Sequence, residues 1–220
     1  MKTVKVKICG ITSKKDLKMV CDMGADAVGF IVGVPSSPRN LTMKAAKRLI
    51  RRVPIFVKSV LVVVSQDADE ILRLYKDLKP DIIQIHGKKP PEISVLRENL
   101  PDALLVRAVT VKSGDALQTA VEEADFFDAV LVDSHSAGKH GGTGVTHDWN
   151  ISRHIREAIH PKPLILAGGL NPKNVKEAIQ TVKPYAVDVS TSVESKPGVK
   201  DPEKVAAFIR NAKEPIIKNG

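Results

Sequence analysis

At 220 residues the chain is long enough for one good-sized core and short for two. With 43% hydrophobic and 27% charged residues it has the composition of a folded globular chain, and no apolar run reaches the roughly 18 residues of a membrane span. The formal charge of +9 invites a nucleic-acid partner, but the lysines are spread along helical patterns and aromatic residues make up only 4%, too few for a base-stacking platform. A solvated basic surface with some attraction for anionic substrates is expected instead, with no nucleic-acid or membrane partner. The start, MKTVKVKICG, has a polar residue at every second step and lacks the apolar centre of a signal peptide. Cys9 and Cys21 form neither a CxxC pair nor a zinc pattern, so a reduced, cytoplasmic chain is expected.

Taken in chain order, β-branched runs alternate with helical patterns. VKVKI, AVGFIV, FVKSVLVVV, DIIQI, ALLVRAV, AVLVD, LILAG and YAVDVS read as strands. Between them apolar residues recur near every 3.6 positions, as at Leu17, Val20 and Met23 or at Ile71, Leu72 and Tyr75. Helix starts are marked by Ser13 before KKDL, Thr42 before MKAA, Asn171-Pro172 before KNVKEAI and Asp201-Pro202 before EKVAAF. No linker interrupts the alternation. Eight strand–helix units in this length predict an α/β chain folded as a single (β/α)8 barrel, a TIM barrel, over residues 1–220. A doubly wound sheet uses the same units, but eight of them in so short a chain favour closure. A closed barrel puts its chemistry at the carboxyl ends of the strands.

Strand parity sorts the candidates. In VKVKIC, Val4, Val6 and Ile8 share the face toward the helices, so Lys7 and Cys9 look into the barrel. In the last strand Asp188 and Ser190 share a face, away from Val187 and Val189. The first and last strands are neighbours in a closed barrel, so Lys7 and Asp188 are expected to pair, since a buried charge without a partner is very costly. Cys9, at a strand end before Gly10, is either a packed core residue or a chemical one; Cys21, mid-helix beside Leu17 and Val20, reads as packing. Asp133 ends the sixth strand on the face of Leu131 and Ala129, as a structural acceptor or an acid–base group.

The remaining candidates lie in loops after strands. Gly141 and Gly142, in GGTG, belong to a lid, an anion nest or a plain connector. His135, His140 and His147 match no zinc spacing, so no metal is expected. Gln84 and His86 share one parity at the end of the fourth strand, as a polar lining of the mouth or, for His86, as a cap on its own loop. Gly168 and Gly169 follow the seventh strand, and Ser190, Thr191 and Ser192 follow the eighth. Barrel enzymes hold phosphate between those two loops through backbone N–H groups. Arg39, in PSSPRN after the second strand, is a surface residue or a bidentate carboxylate clamp.

Together, KICGIT, GADAVGF, SPR, QIHG, LVDS…GGTG, LAGGLNPKNV and AVDVS…VE…PGVKD resemble the phosphoribosylanthranilate isomerase family of tryptophan biosynthesis, from the first strand to the last helix. The resemblance implies a barrel without metal or cofactor. Its small-molecule substrate is N-(5-phosphoribosyl)anthranilate, converted by an acid–base Amadori rearrangement to 1-(2-carboxyphenylamino)-1-deoxyribulose 5-phosphate. The resemblance assigns the base to Cys9, the acid to Asp133 and a contact with the anthranilate end to Arg39. Gln84, His86, Gly141 and Gly142 are then substrate-binding candidates, and Gly168, Gly169, Ser190, Thr191 and Ser192 phosphate-binding ones. The family usually has Ser-Ser-Gly-Val-Glu after the last strand, so Ser192 stands where a glycine is usual; glycine there allows close backbone approach or a positive φ. Monomer and homodimer are both open. The runner-up is another phosphate-binding barrel enzyme, a sugar-phosphate epimerase or indole-glycerol-phosphate synthase. The first needs metal ligands that cannot be assembled, and the second lacks its lysine and glutamate set and leaves Cys9 unused. From a different class comes a noncatalytic barrel that binds phosphorylated ligands or RNA, which steep salt dependence would mark.

Overall fold

Each of the eight expected runs forms a strand followed by a helix in the computed structural model, which describes residues 3–87, 90–111, 115–134 and 148–214. The units are β1 (Lys5–Ile8) and α1 (Lys14–Asp22), β2 (Ala27–Val32) and α2 (Met43–Ile50), β3 (Lys58–Val63) and α3 (Ala68–Leu78), and β4 (Ile82–Ile85) and α4 (Ile93–Asn99). They continue as β5 (Leu104–Thr110) and α5 (Ala116–Ala124), β6 (Ala129–Asp133) and α6 (Trp149–Ala158), β7 (Leu164–Leu166) and α7 (Val175–Val182), and β8 (Ala186–Val189) and α8 (Pro202–Lys213). Neighbouring strands pair in parallel throughout, and β1 pairs with both β2 and β8, so the sheet closes into the expected barrel. A small antiparallel ribbon, Glu194–Lys196 with Val199–Lys200, stands between β8 and α8. Among the described residues no helix is long and apolar enough to cross a membrane.

Local chemistry explains where the helices begin and end. Ser13 accepts a hydrogen bond from the Asp16 amide, Thr42 from Ala45, and Asp201 from Glu203 and Lys204, each satisfying a donor that the first turn leaves open. The start expected at Asn171-Pro172 lies further on: α7 begins at Val175, with Asn174 as its cap. Asn171 instead closes a separate turn, its Oδ1 accepting from the amides of Lys173 and Asn174. Such local bonds compete with the helix for the same donors. α3 and α7 end at Lys79 and Lys183 in the left-handed conformation, each followed by a proline that cannot continue the helix.

Two apolar layers result from strand parity. Val6, Ile8, Val28, Phe30, Leu61, Ile83 and Val187 face the helices in the larger core. Cys9, Val60 and Val62 on one side, and Val106, Ala108, Ala129, Leu131 and Ala167 on the other, fill the barrel. Burial on both faces is what a parallel sheet wrapped in helices requires. Lys7 and Asp188 occupy the inner layer as expected: they are register partners across the β1–β8 seam, with Lys7 Nζ 3.1 Å from Asp188 Oδ2 and side chains only 5% and 9% exposed. Burial pulls the Lys7 ammonium toward neutrality, but the Asp188 charge and then Cys9 outweigh it and hold the pKa above the ordinary 10.5. The stabilisation from this shift is therefore complete below the ordinary lysine value and lost only as pH rises through the raised one.

Lys7→Met leaves Asp188 buried without its partner and is expected to cost about 3–5 kcal/mol in urea unfolding. Lys5→Met removes a half-exposed bridge to Asp26 and is expected to cost under about 1 kcal/mol. Equal losses from the two variants would contradict the buried pair's larger role.

Candidate active site

The thiol of Cys9 projects from the end of β1 into the mouth of the barrel and is buried. Room for it comes from β2: a Cβ on Gly29 would stand 2.7 Å from Cys9 Sγ. Burial pushes the thiol pKa above its ordinary 9.0, while the positive charges of Lys7 and Lys200 pull against the rise and Asp188 adds to it. The resting side chain at neutral pH is a thiol with two cations near enough to stabilise its anion. Cys21, by contrast, packs from α1 against the outer core, as its spacing suggested.

Asp133 ends β6, three strands away from β1 around the sheet, with the inward parity of Ala129 and Leu131. The backbone of Gly168 lies directly against it. Gly168 has φ +80°, and a Cβ there would fall 2.2 Å from the Ser134 nitrogen and 2.7 Å from Asp133 Oδ1. The Gly168–Gly169 loop is pinned by Asn171 and Asn174, whose Nδ2 groups donate to the Gly169 carbonyl at 3.4 and 3.0 Å. Ser192 joins this loop to the one after β8 by donating from its hydroxyl to the Leu170 carbonyl. Among the described residues only Lys79 and Lys183 are non-glycines with positive φ. Ser192, within the 3₁₀ turn Thr191–Val193, therefore needs no glycine-like backbone. Ser190 Oγ is buried beside Gly10 and has no hydrogen-bond partner among the described residues.

Arg39 reaches the same mouth by crossing Gly10, where a Cβ would meet its Cδ at 2.5 Å. Its fork is engaged within the fold: Nε and Nη2 donate to the two oxygens of Glu194 at 2.7 and 2.6 Å, and Nη2 also reaches Thr191 Oγ1 at 3.1 Å. Lys200, wholly buried, donates to the same Glu194 carboxylate at 2.8 Å. Burial raises the Glu194 pKa, but the Arg39 hydrogen bond and the Lys200 charge reverse the effect and hold it below the ordinary 4.5. Stability from that shift is present above 4.5 and lost as pH falls through the lowered value. Sequence reading assigned no role to Glu194 and Lys200, although both lie in VE…PGVKD. Their contact follows from the ribbon, which makes them register partners.

Gln84 and His86 line the mouth from β4, with Gln84 Nε2 2.6 Å from His86 Nε2. Arg107, of opposite parity on β5, pairs with Glu123 and donates to the carbonyls of Ile85 and Gly87, bracing that strand end from outside. Gly141 and Gly142, and with them His135, His140 and His147, lie outside the described residues.

Gly168→Ala is expected to lose about 1–3 kcal/mol and most turnover, because the new methyl displaces Ser134 and Asp133. Gly24→Ala, at φ +91° with open space around it, is expected to lose stability only. Melting curves and initial rates compare the two, and equal turnover in both would sink the steric argument.

Comparison with known proteins places this geometry. The family described as N-(5'-phosphoribosyl)anthranilate (PRA) isomerase matches residues 6–211. N-(5'-phosphoribosyl)anthranilate isomerase 1 of Methanosarcina mazei is 42% identical over 224 residues, covering 95% of this chain and 94% of its own. Among solved structures, monomers generated from the dimeric phosphoribosylanthranilate isomerase of Thermotoga maritima align with a TM-score of 0.82 at 36% identity, over 96% of this chain and 98% of the other. A phosphoribosylanthranilate isomerase in complex with reduced 1-(o-carboxyphenylamino)-1-deoxyribulose 5-phosphate aligns with a TM-score of 0.81 at 36% identity and the same coverage. With a closed eight-stranded barrel and a full-length match, the chain belongs to the phosphoribosylanthranilate isomerase family.

Proposed function

We propose that Cys9 and Asp133 are the base and acid that isomerise N-(5'-phosphoribosyl)anthranilate in this chain, an isomerase of tryptophan biosynthesis by its family. The observation that carries the assignment is that their strands bring both groups, with inward parity, to one barrel mouth from strands three apart. Asp133 protonates the furanose ring oxygen, the C1–O bond breaks, and the nitrogen lone pair forms a Schiff base. The Cys9 thiolate then removes the C2 proton, its electrons flow toward the iminium, and the resulting enaminol tautomerises to the ketone. A sugar flanked by the two groups meets the geometric demand of acid–base catalysis at ring oxygen and C2. Phosphate binds at Gly168–Gly169 and Ser190–Ser192, a reading supported by two successive strand-end loops that carry glycine amides and hydroxyl residues. Arg39 contacts the anthranilate carboxylate, while Gln84 and His86, with Gly141 and Gly142, contact the remaining substrate.

Burial holds Cys9 as a thiol, whereas the reacting form has the thiolate at Cys9 and the proton on Asp133. That form and the thiol–carboxylate form contain equal numbers of protons, so their ratio is independent of pH. Activity follows the two macroscopic pKa values of the pair. The alkaline limb of kcat/KM is expected above the ordinary thiol value of 9.0, and a decline beginning at neutral pH would contradict a raised Cys9. Cys9→Ala and Asp133→Asn are each expected to lower kcat by roughly 10²–10⁴-fold in a fluorescence assay of substrate loss. Cys21→Ser should keep the parent rate. A folded Cys9→Ala that turned over normally would remove Cys9 as the base.

Ile55 and Phe56, in the turn before β3, are 90% and 94% exposed, at the end of the barrel away from the mouth. We propose that they meet a second copy in a homodimer, a reading supported by the dimeric relative from Thermotoga maritima. Phe56→Ser should reduce the light-scattering mass to that of one chain with turnover per chain retained. A parent chain already monomeric at assay concentration would overturn this.

A further inference from the structure

We infer that Glu194 is a positioning residue for Arg39: with Lys200 behind it, it fixes the guanidinium so that the Nη1 side is presented to the substrate carboxylate. This rests on the reading of Arg39 as the contact for the anthranilate end. A guanidinium has five N–H donors in one plane. Glu194 takes the Nε and Nη2 edge, and Thr191 takes a further contact from Nη2. The plane is thereby set before substrate arrives, in a setting where the Arg39 and Glu194 side chains are only 12% and 3% exposed. A free arginine would have to lose its rotamer freedom on binding, whereas this one has lost it on folding.

Charge supplies the second part of the argument. Arg39 with Glu194 alone is a neutral pair, with little net attraction for an incoming carboxylate. Lys200 binds the same Glu194 oxygen that accepts from Arg39 Nε, so the three groups together carry one positive charge. Lys200 is held in turn by the Ser190 carbonyl, and its backbone amide donates to Asp16 Oδ2 on α1. The ribbon that follows β8 thus acts as a brace, tying the anion-binding arginine to the first and last strand–helix units. Neither Glu194 nor Lys200 gives or takes a proton in the transfers above, although the Lys200 charge favours the Cys9 thiolate.

The test compares kcat, KM and melting temperature for Arg39→Ala, Glu194→Gln, Lys200→Met and the double variant Arg39→Ala/Glu194→Gln. Glu194→Gln is expected to raise KM about ten-fold with kcat within a few-fold, the signature of lost uniform binding, because the lost orientation outweighs the positive charge gained. Lys200→Met is expected to raise KM as well and, by removing a cation that favours the Cys9 thiolate, also to lower kcat. The double variant should be no worse than Arg39→Ala alone, because Glu194 acts through Arg39. Should Glu194→Gln fail to fold, Glu194→Asp keeps the charge but shortens the reach and should give the same KM effect. An unchanged KM in Arg39→Ala would overturn the underlying reading of Arg39. A raised KM there, with parent-like KM in the folded Glu194 and Lys200 variants or with additive effects in the double variant, would overturn the positioning role alone.

Discussion

The Lys7–Asp188 ion pair lies on the seam where the first and last strands meet, and much of the site depends on it. Closing the sheet forces the inward side chains of β1 and β8 into one small dry volume, where a lone lysine or aspartate would carry a large desolvation cost. Paired at 3.1 Å, each makes the other tolerable. The arrangement also sets a cation beside Cys9, two residues further along the same face of β1. Among the described residues Asp188 Oδ1 is buried with no hydrogen-bond partner.

Cys9 sits under opposing influences. Burial and the Asp188 charge favour the thiol; Lys7 and Lys200 favour the thiolate. Burial wins in the resting protein, which protects a nucleophilic sulfur from the reactions that follow thiolate character. The same cations become more effective once a substrate excludes water, because charge interactions strengthen as the local dielectric falls. With Cys9 as the proposed base, the mouth serves proton transfer without exposing a permanent thiolate.

Glycines and small ties determine how closely these groups approach. Gly29 leaves the space that the Cys9 sulfur fills, Gly10 lets Arg39 cross the end of β1, and Gly168 allows the β7 loop to rest on Asp133. Ser192 shows a different solution at the neighbouring loop. Its hydroxyl bonds across to Leu170, so a side chain at that position links the β7 and β8 loops.

The order of strands and helices was legible in the sequence because hydrophobic periodicity and capping residues act over a few residues. Ser13, Thr42 and Asp201 marked true starts, while Asn171 misled because its side chain can satisfy amides in a turn as readily as in a helix. Parity also revealed that Lys7, Cys9 and Asp188 face inward, and closure made the Lys7–Asp188 pair predictable; for Asp133 it gave only the face of Leu131 and Ala129, which the structure turns inward. What only the tertiary structure decided were contacts between loops whose conformations follow no periodic rule. That Arg39 spends one edge on Glu194, that Lys200 lies behind it, and that Gly29 faces a sulfur on another strand depend on loop paths, ribbon register and strand stagger. Sequence by itself determined which residues point into the barrel, since side-chain alternation is a local property of a strand. Tertiary structure decided which of them touch, because contact is set by where separate segments of chain come to rest against one another.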